Sequence, residues 1–278
     1  MSHRPDPVSV LDAILAQTRE RVAVEQERRP LGFSHPSVTR APPVRPFADA
    51  LVRSGRTNVI AEHKRRSPSR GAIREDLAPE DVARRYEGAG AIALSVLTDE
   101  PFFGGRLDHL VQARAATALP VLRKDFVLDP WQVWEARAAG ADAVLLIVAA
   151  LTDTELRGLL GVAREAGLDT LVEVHDRSEL DRALAAGARI VGVNSRDLKT
   201  LAVSLQTALS LAPAIPDDVV AVAESGIRTS ADLRRLGDAG FDAFLVGERL
   251  MAAPDPGEAL RQLIAGAERL RGSDGGAR

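Results

Sequence analysis

The sequence predicts an α/β protein, a (β/α)8 TIM barrel with an N-terminal helical extension, and three observations carry that reading. Eight apolar, strand-like runs alternate with helical patterns from residue 58 onward. The joints between each helix and the next strand reuse one motif. The unusual polar residues gather where the strands end. A doubly wound open sheet is the competing architecture, but eight units in one domain of about 250 residues match the closed barrel.

The strands are expected at 59–62, 92–97, 120–124, 143–148, 170–174, 190–194, 219–224 and 243–247. Helical patterns fill the gaps at 79–87, 107–116, 130–138, 153–165, 178–185, 204–211 and 230–238, and a last helix covers 255–271. Strands alternating with helices at this spacing imply βα units and a parallel sheet. The joints are Ala89-Gly90-Ala91, Ala139-Gly140-Ala141-Asp142, Ala166-Gly167-Leu168-Asp169, Ala186-Gly187-Ala188 and Ala239-Gly240-Phe241-Asp242. Glycine there supplies the left-handed residue that ends a helix.

Ahead of the barrel, residues 8–28 read as an amphipathic helix with Val10, Leu11, Ile14, Leu15 and Val22 at helical spacing. Ser9 is its expected cap and Pro30 marks its end. Residues 31–45 are a proline-rich linker, and 46–53 suit a short second helix. The domain organisation expected is an N-terminal helical extension and linker at 1–47, a catalytic barrel at 48–272, and a disordered polar tail at 273–278.

Composition narrows the function. The 278 residues are 45% hydrophobic, ample for a core, and the net charge of −3 gives no reason to expect nucleic-acid binding. Cysteine is absent, which excludes thiolate metal sites and a cysteine nucleophile and fits a reducing compartment. Residues 1–7 are polar with no long apolar run behind them, so no signal peptide is expected. No run is long enough to span a membrane. A cytoplasmic protein is the expectation.

In this fold the active site lies at the C-terminal ends of the strands. Glu62 and Lys64 end the first strand; Lys124, Glu173, Asn194 and Glu224 end the third, fifth, sixth and seventh. Strand residues two apart share a face, so Glu62 pairs with Lys64, Lys124 with Phe126 and Asn194 with Arg196. The inward set is then Glu62, Lys64, Lys124, Glu173, Asn194, Arg196 and Glu224, with Ala61 and His63 facing the helices. Such crowding shifts pKa values and suits proton transfer. A lowered pKa is expected for Lys124, among other cations and beside Phe126.

Glycine-bearing turns at Ser225-Gly226 and Gly247 follow strands seven and eight, the usual phosphate site of barrels. Ser67 and Lys64 are placed to reach the same anion. Phe102, Phe103 and Phe126, three of seven phenylalanines, sit on mouth loops and point to a flat apolar ligand ring. His175 reads as a loop or cap residue, and Trp131 and Trp134 as core.

Seven motifs in order resemble the indole-3-glycerol phosphate synthase family. They are Ala61-Glu62-His63-Lys64-Arg65-Arg66-Ser67-Pro68-Ser69, Ser95-Val96-Leu97-Thr98-Asp99, Phe102-Phe103-Gly104-Gly105, Leu122-Arg123-Lys124-Asp125-Phe126, Leu171-Val172-Glu173-Val174, Val193-Asn194-Ser195-Arg196-Asp197-Leu198 and Ala223-Glu224-Ser225-Gly226-Ile227. The resemblance implies a lyase of tryptophan biosynthesis that needs no metal or organic cofactor. It closes 1-(2-carboxyphenylamino)-1-deoxyribulose 5-phosphate to indole-3-glycerol phosphate, CO2 and water.

It also implies roles. Lys124 is the general acid at the ketone oxygen. Glu173 handles the dehydration proton, with Glu62 and Lys64 as further participants. Lys64 holds the carboxylate that leaves. Asn194 and Arg196 position the sugar hydroxyls and the anthranilate end, and Glu224 orients its neighbours or touches substrate. Phe103, Phe126 and Leu145 pack on the ring. Ser67, Ser225, Gly226 and Gly247 hold the phosphate. Partners are limited to the small phosphorylated substrate, with no nucleic acid and no membrane; contact with other tryptophan-pathway enzymes stays open. Two departures stand out. His63 replaces a β-branched apolar residue, and Glu248 replaces a serine, so Glu248 is expected to point away from the phosphate.

Two rival readings stay open from the residues. One is another phosphosugar barrel such as phosphoribosylanthranilate isomerase, which is expected to need a cysteine base. The other is a silent barrel that only binds a partner or phosphate ligand.

Overall fold

The repeated joints explain how the strands line up. Gly90, Gly140, Gly167, Gly187 and Gly240 all adopt positive φ, between 71° and 107°, so each helix stops and the chain turns back into the sheet. The aspartate that follows at two of these joints ties neighbouring strands together. Asp142 donates its N–H to the Val121 carbonyl at 2.9 Å, and its carboxylate accepts the Val121 N–H at 2.8 Å. Asp242 makes the same reciprocal pair with Ala221, at 2.9 and 2.8 Å. A carboxylate thus continues the parallel ladder at its first rung.

The computed structural model describes residues 9–197 and 200–274. Its barrel strands are β1 Asn58–His63, β2 Ala93–Leu97, β3 Val121–Lys124, β4 Ala143–Ile147, β5 Asp169–Val174, β6 Ile190–Asn194, β7 Val220–Glu224 and β8 Ala243–Val246. They close in the order β1-β8-β7-β6-β5-β4-β3-β2, with every pair parallel. Nearly every strand residue is buried, as expected when helices cover one face and the barrel interior the other.

The expected elements are found, with ends moved by a residue or two. Short additions appear at the mouth: a hairpin of Arg66–Ser67 with Gly71–Ala72, and helices Glu100–Phe103 and Glu248–Met251. The last helix runs Pro256–Asp274, past its expected end at 271. Residues 1–8, with their signal-peptide expectation, and the tail from 275 onward lie outside the described residues. No helix among the described residues is long and apolar enough to cross a membrane.

The N-terminal helix Val10–Arg28 starts at a capping box made by Ser9 and Asp12. Its far end docks on the helix Pro130–Ala138, where Arg29 meets Glu135 at 2.8 Å and its carbonyl accepts the Trp131 indole N–H at 2.7 Å. Its first turn reaches the mouth. There Val10, Leu11 and Ile14 line a small hollow shared with Lys64, Phe103, Phe126 and Arg196. At the opposite end of the barrel the helix Phe47–Leu51 buries Phe47 and Leu51 completely, and its Ala48 N–H donates to Asp169 at 2.8 Å.

Candidate active site

Strand parity brings the predicted inward residues into one hollow. A cavity of about 680 Å³ opens at the C-terminal ends of the strands. Glu62, Lys64, Lys124, Glu173, Asn194, Arg196 and Glu224 all line it, and so do Phe103, Phe126, Leu145, Ser225, Gly226 and Gly247. That size suits a drug-sized or metabolite ligand.

Lys124 is the hub. It ends β3, and its Nζ donates to Glu173 Oε2 at 2.9 Å and to Glu224 Oε2. Asn194 Nδ2 donates to the other Glu173 oxygen at 3.0 Å. The register explains the meeting: Asn194 lies beside Glu224 across β6 and β7, and Glu173 beside Gly192 across β5 and β6. A Cβ on Gly192 would stand 2.1 Å from Glu224 Oε1, so only glycine leaves room for that carboxylate. Gly247 does the same for Glu62, whose Oε1 would lie 2.3 Å from an added Cβ. Glu62 in turn accepts from Lys64 at 2.7 Å.

The carboxylates are not equivalent. Burial raises the pKa of Glu173, but Lys124, His175 and Asn194 more than offset it and hold the group well below the usual range. Burial also raises Glu224; Lys124 pulls the other way, yet Glu173 and Glu62 keep it above the usual range. One ammonium shared by two carboxylates cannot neutralise both, and the extra donors lie on the Glu173 side. Glu224 Oε1 is buried with no hydrogen-bond partner among the described residues. A site with one firm anion and one easily protonated acid can both accept and return a proton.

One expectation is corrected. Lys124 does not have a lowered pKa. Burial disfavours its charge, but Glu173, Glu224 and Glu62 surround it and raise the value above that of an ordinary lysine. The groups that set its charge are not its chain neighbours but carboxylates that arrive from β5, β7 and β1. Glu248, expected to turn from the phosphate, lies on the cavity lining, held by Arg70 at 3.1 Å and Arg196 at 3.5 Å. The guanidiniums supply the attraction that draws it inward.

Ser67 is buried on the smaller hollow with Lys64, Phe103 and Arg196, apart from the Ser225, Gly226 and Gly247 lining. Phe103 and Phe126 face each other with centroids 6.3 Å apart, while Phe102 lines neither hollow. His63 faces away from the axis, edge-on to His109 at 5.7 Å, and burial lowers its pKa to about 3. Ser225 takes φ 63° next to Gly226 at 79°. A left-handed serine costs on the order of 1–3 kcal/mol, and such strain clusters at ligand sites.

His175 is the contact that sequence reading passed over. Its Nδ1 lies 2.9 Å from Glu179 and its Nε2 3.4 Å from Glu173. Burial lowers its basicity, but the bonds and charges of Glu173 and Glu179 push its pKa up to about 10. The signal was available, because Glu173 and His175 are two residues apart, like Glu62 and Lys64. Among the described residues no three His, Asp or Glu side chains are placed to hold a metal ion.

Comparison with known proteins supplies the family. A family model described as Indole-3-glycerol phosphate synthase matches residues 11–263. A protein of that name from Polaromonas sp. is 49% identical over 258 residues, covering 92% of this chain and 98% of its own. Another, from Laribacter hongkongensis, is 50% identical over 260 residues, covering 92% and 99%. Among solved structures, thiamine phosphate pyrophosphorylase from Pyrococcus furiosus aligns with TM-score 0.58 at 19% identity, over 77% of this chain and 96% of that one. That likeness speaks to the barrel alone. Sequence relatives and fold together place the chain in the indole-3-glycerol phosphate synthase family, carboxy-lyases of tryptophan biosynthesis.

Proposed function

We propose that Lys124 is the general acid of this chain's ring closure and that Glu173, Glu224 and Lys64 complete its proton and charge handling. The observation that carries this is the Lys124 ammonium on the cavity wall, held by two carboxylates of opposite protonation tendency. An ammonium has three hydrogens. Two go to Glu173 and Glu224, and the third serves the substrate ketone oxygen.

The anthranilate carbon bearing the carboxylate attacks the ketone carbon. A C–C bond forms, and the ketone oxygen takes the Lys124 proton and becomes a hydroxyl. Glu224, the more easily protonated neighbour, returns a proton to Lys124. The carboxylate, held until then by Lys64, leaves as CO2, and its bonding electrons restore the aromatic ring. The new hydroxyl departs as water with a proton supplied from the cluster. Glu173, the firm anion, removes the carbon-bound proton that completes the indole. Donors placed at developing charge are the largest source of such rate enhancement.

Phe103, Phe126 and Leu145 form the wall for the aromatic ring. Ser225, Gly226 and Gly247 take the phosphate, and Asn194 and Arg196 the groups between. Ser67, on the adjoining hollow, contributes from the Lys64 side. The partner is the small phosphorylated substrate. A cytoplasmic setting agrees with the absence of cysteine.

Adding the carboxyphenylamino substrate should give the ultraviolet and fluorescence rise of indole. No rise between pH 6 and 9 would reject catalysis and leave a silent barrel. Lys124→Ala should lower kcat far more than it weakens binding; unchanged turnover would remove Lys124 from the role of acid.

A further inference from the structure

The cavity has two electrostatic characters. Its floor holds the carboxylates and lysines described above. Another part of its rim is lined by Arg70, Arg196, Arg228 and Arg249, with Glu248 set among them. Arg70 Nη1 lies 3.1 Å from Glu248 Oε1, and Arg196 Nη2 lies 3.5 Å from Oε2. These residues come from the loops after β1, β6 and β8, so one carboxylate ties three loops together. Ser225, Gly226 and Gly247 line the same cavity.

A phosphate at those loops would stand close to the fixed negative charge of Glu248, and like charges at such range repel. The bridge that occupies Glu248 is also weak. The Arg70 side chain is 53% exposed and that of Glu248 31%. Ion pairs this open add little stability, because solvent screens them and two long side chains must be held in one geometry. A dianion carries twice the charge of a carboxylate and binds guanidinium more strongly. The exchange of one anion for the other is therefore favourable and cheap to start.

We propose that Glu248 is an internal stand-in for the substrate phosphate. It holds Arg70 across the rim before substrate binds and yields that guanidinium to the phosphate afterwards, while Arg196 keeps Glu248 compensated. Arg70 is then a phosphate-binding residue and Glu248 sets the selectivity for a doubly charged group. A ligand with no phosphate leaves the bridge in place and gains nothing from Arg70. This rests on the placement of the phosphate at the loops after β7 and β8.

The test titrates inorganic phosphate into the full chain at fixed ionic strength, by calorimetry, for wild type, Glu248→Gln, Arg70→Gln and the double variant. Indole fluorescence supplies KM and kcat in parallel. Glu248→Gln should bind phosphate about tenfold tighter, from the loss of one nearby like charge. It should lower KM by a larger factor than it changes kcat. Arg70→Gln should weaken phosphate more in the Glu248→Gln background than in wild type, because there no bridge is broken on binding. Glu248→Ser is the second variant should the first melt early, and the same gain is expected. Phosphate binding no tighter in either Glu248 variant overturns the proposal. Ser225→Asp separates the underlying reading: an unchanged phosphate affinity would move the phosphate away from these loops and take the stand-in role with it, while indole formation would still report catalysis.

Discussion

At the strand-start end of the barrel, Asp142 accepts from the backbone N–H of Arg45 at 2.7 Å, from Val121 at 2.8 Å and from the Arg114 guanidinium at 3.1 Å. At the strand-finish end, Lys124 is divided between Glu173 and Glu224, and Glu224 keeps one oxygen without a partner among the described residues. Both ends bury charge, but the first satisfies it with backbone and the second aims it at a cavity. For these two carboxylate clusters the contrast marks the working end better than charge density does, although Thr57 and Asn58 at the start of β1 also keep a buried oxygen unpaired among the described residues. Buried polar groups that are fully paired hold strands in register, whereas groups left short of partners are available to a ligand.

The largest expected effect lies at the cavity end. Lys124→Ala removes the acid and should lower kcat by about 10²–10⁴-fold, the usual contribution of general acid catalysis. Its melting temperature should fall less than its activity does, because Glu173 and Glu224 lose their shared ammonium but can turn toward the open cavity or take up a proton. At the other end the pattern reverses. Asp142→Ala leaves two backbone donors without their acceptor and the buried Arg114 with only the Gly140 and Pro43 carbonyls, and should cost about 3 kcal/mol or more in urea unfolding. The folded fraction should keep its kcat. Loss of turnover at unchanged stability in Asp142→Ala would break the division between the two ends.

This division also shows what was legible in the sequence. The barrel and its inward set could be read because strand parity is a strict two-residue rule, and Glu62, Lys64, Lys124, Glu173, Asn194 and Glu224 obey it. The charge balance at Lys124 was not readable in the same way. It depends on register between strands far apart in sequence, which brings Glu173 and Glu224 onto the Lys124 ammonium. Glu248 and Arg70 lie on loops, where no period fixes direction, so their pairing emerged only in three dimensions. The strand-start charges were hidden for a different reason: Asp142 and Asp242 sit in joints that were read for their glycines.

A smaller effect probes the fit between the strands. Gly192→Ala would place a methyl 2.1 Å from Glu224 Oε1 and 3.1 Å from Leu171 Cδ1. The carboxylate would have to swing away from Lys124 or the strands part, at about 1–3 kcal/mol. If the carboxylate moves, kcat falls while stability changes little. If the strands part, the melting temperature falls first. Unchanged kcat and stability together would mean that Glu224 has no fixed place.

The smallest effect is a shift along the pH axis, and it separates Glu173 from Glu224. His175 lies 3.4 Å from Glu173 and 2.9 Å from Glu179. Its pKa is pushed up to about 10 in the fold, against about 6.5 for an unperturbed histidine. A raised pKa means that the fold binds this proton more tightly than the unfolded chain does. The stability it gives is full below about pH 6.5 and is lost as pH rises toward 10. His175→Gln should therefore flatten the fall in melting temperature across that window. It should also deprive Glu173 of a nearby positive charge, so the acid limb of kcat/KM moves to higher pH by about one unit. His175→Lys, which keeps a cation at the same place, should move the limb back. A purely structural histidine would change the melting curve and leave the acid limb where it was, and that result would return Glu173 to the same footing as Glu224.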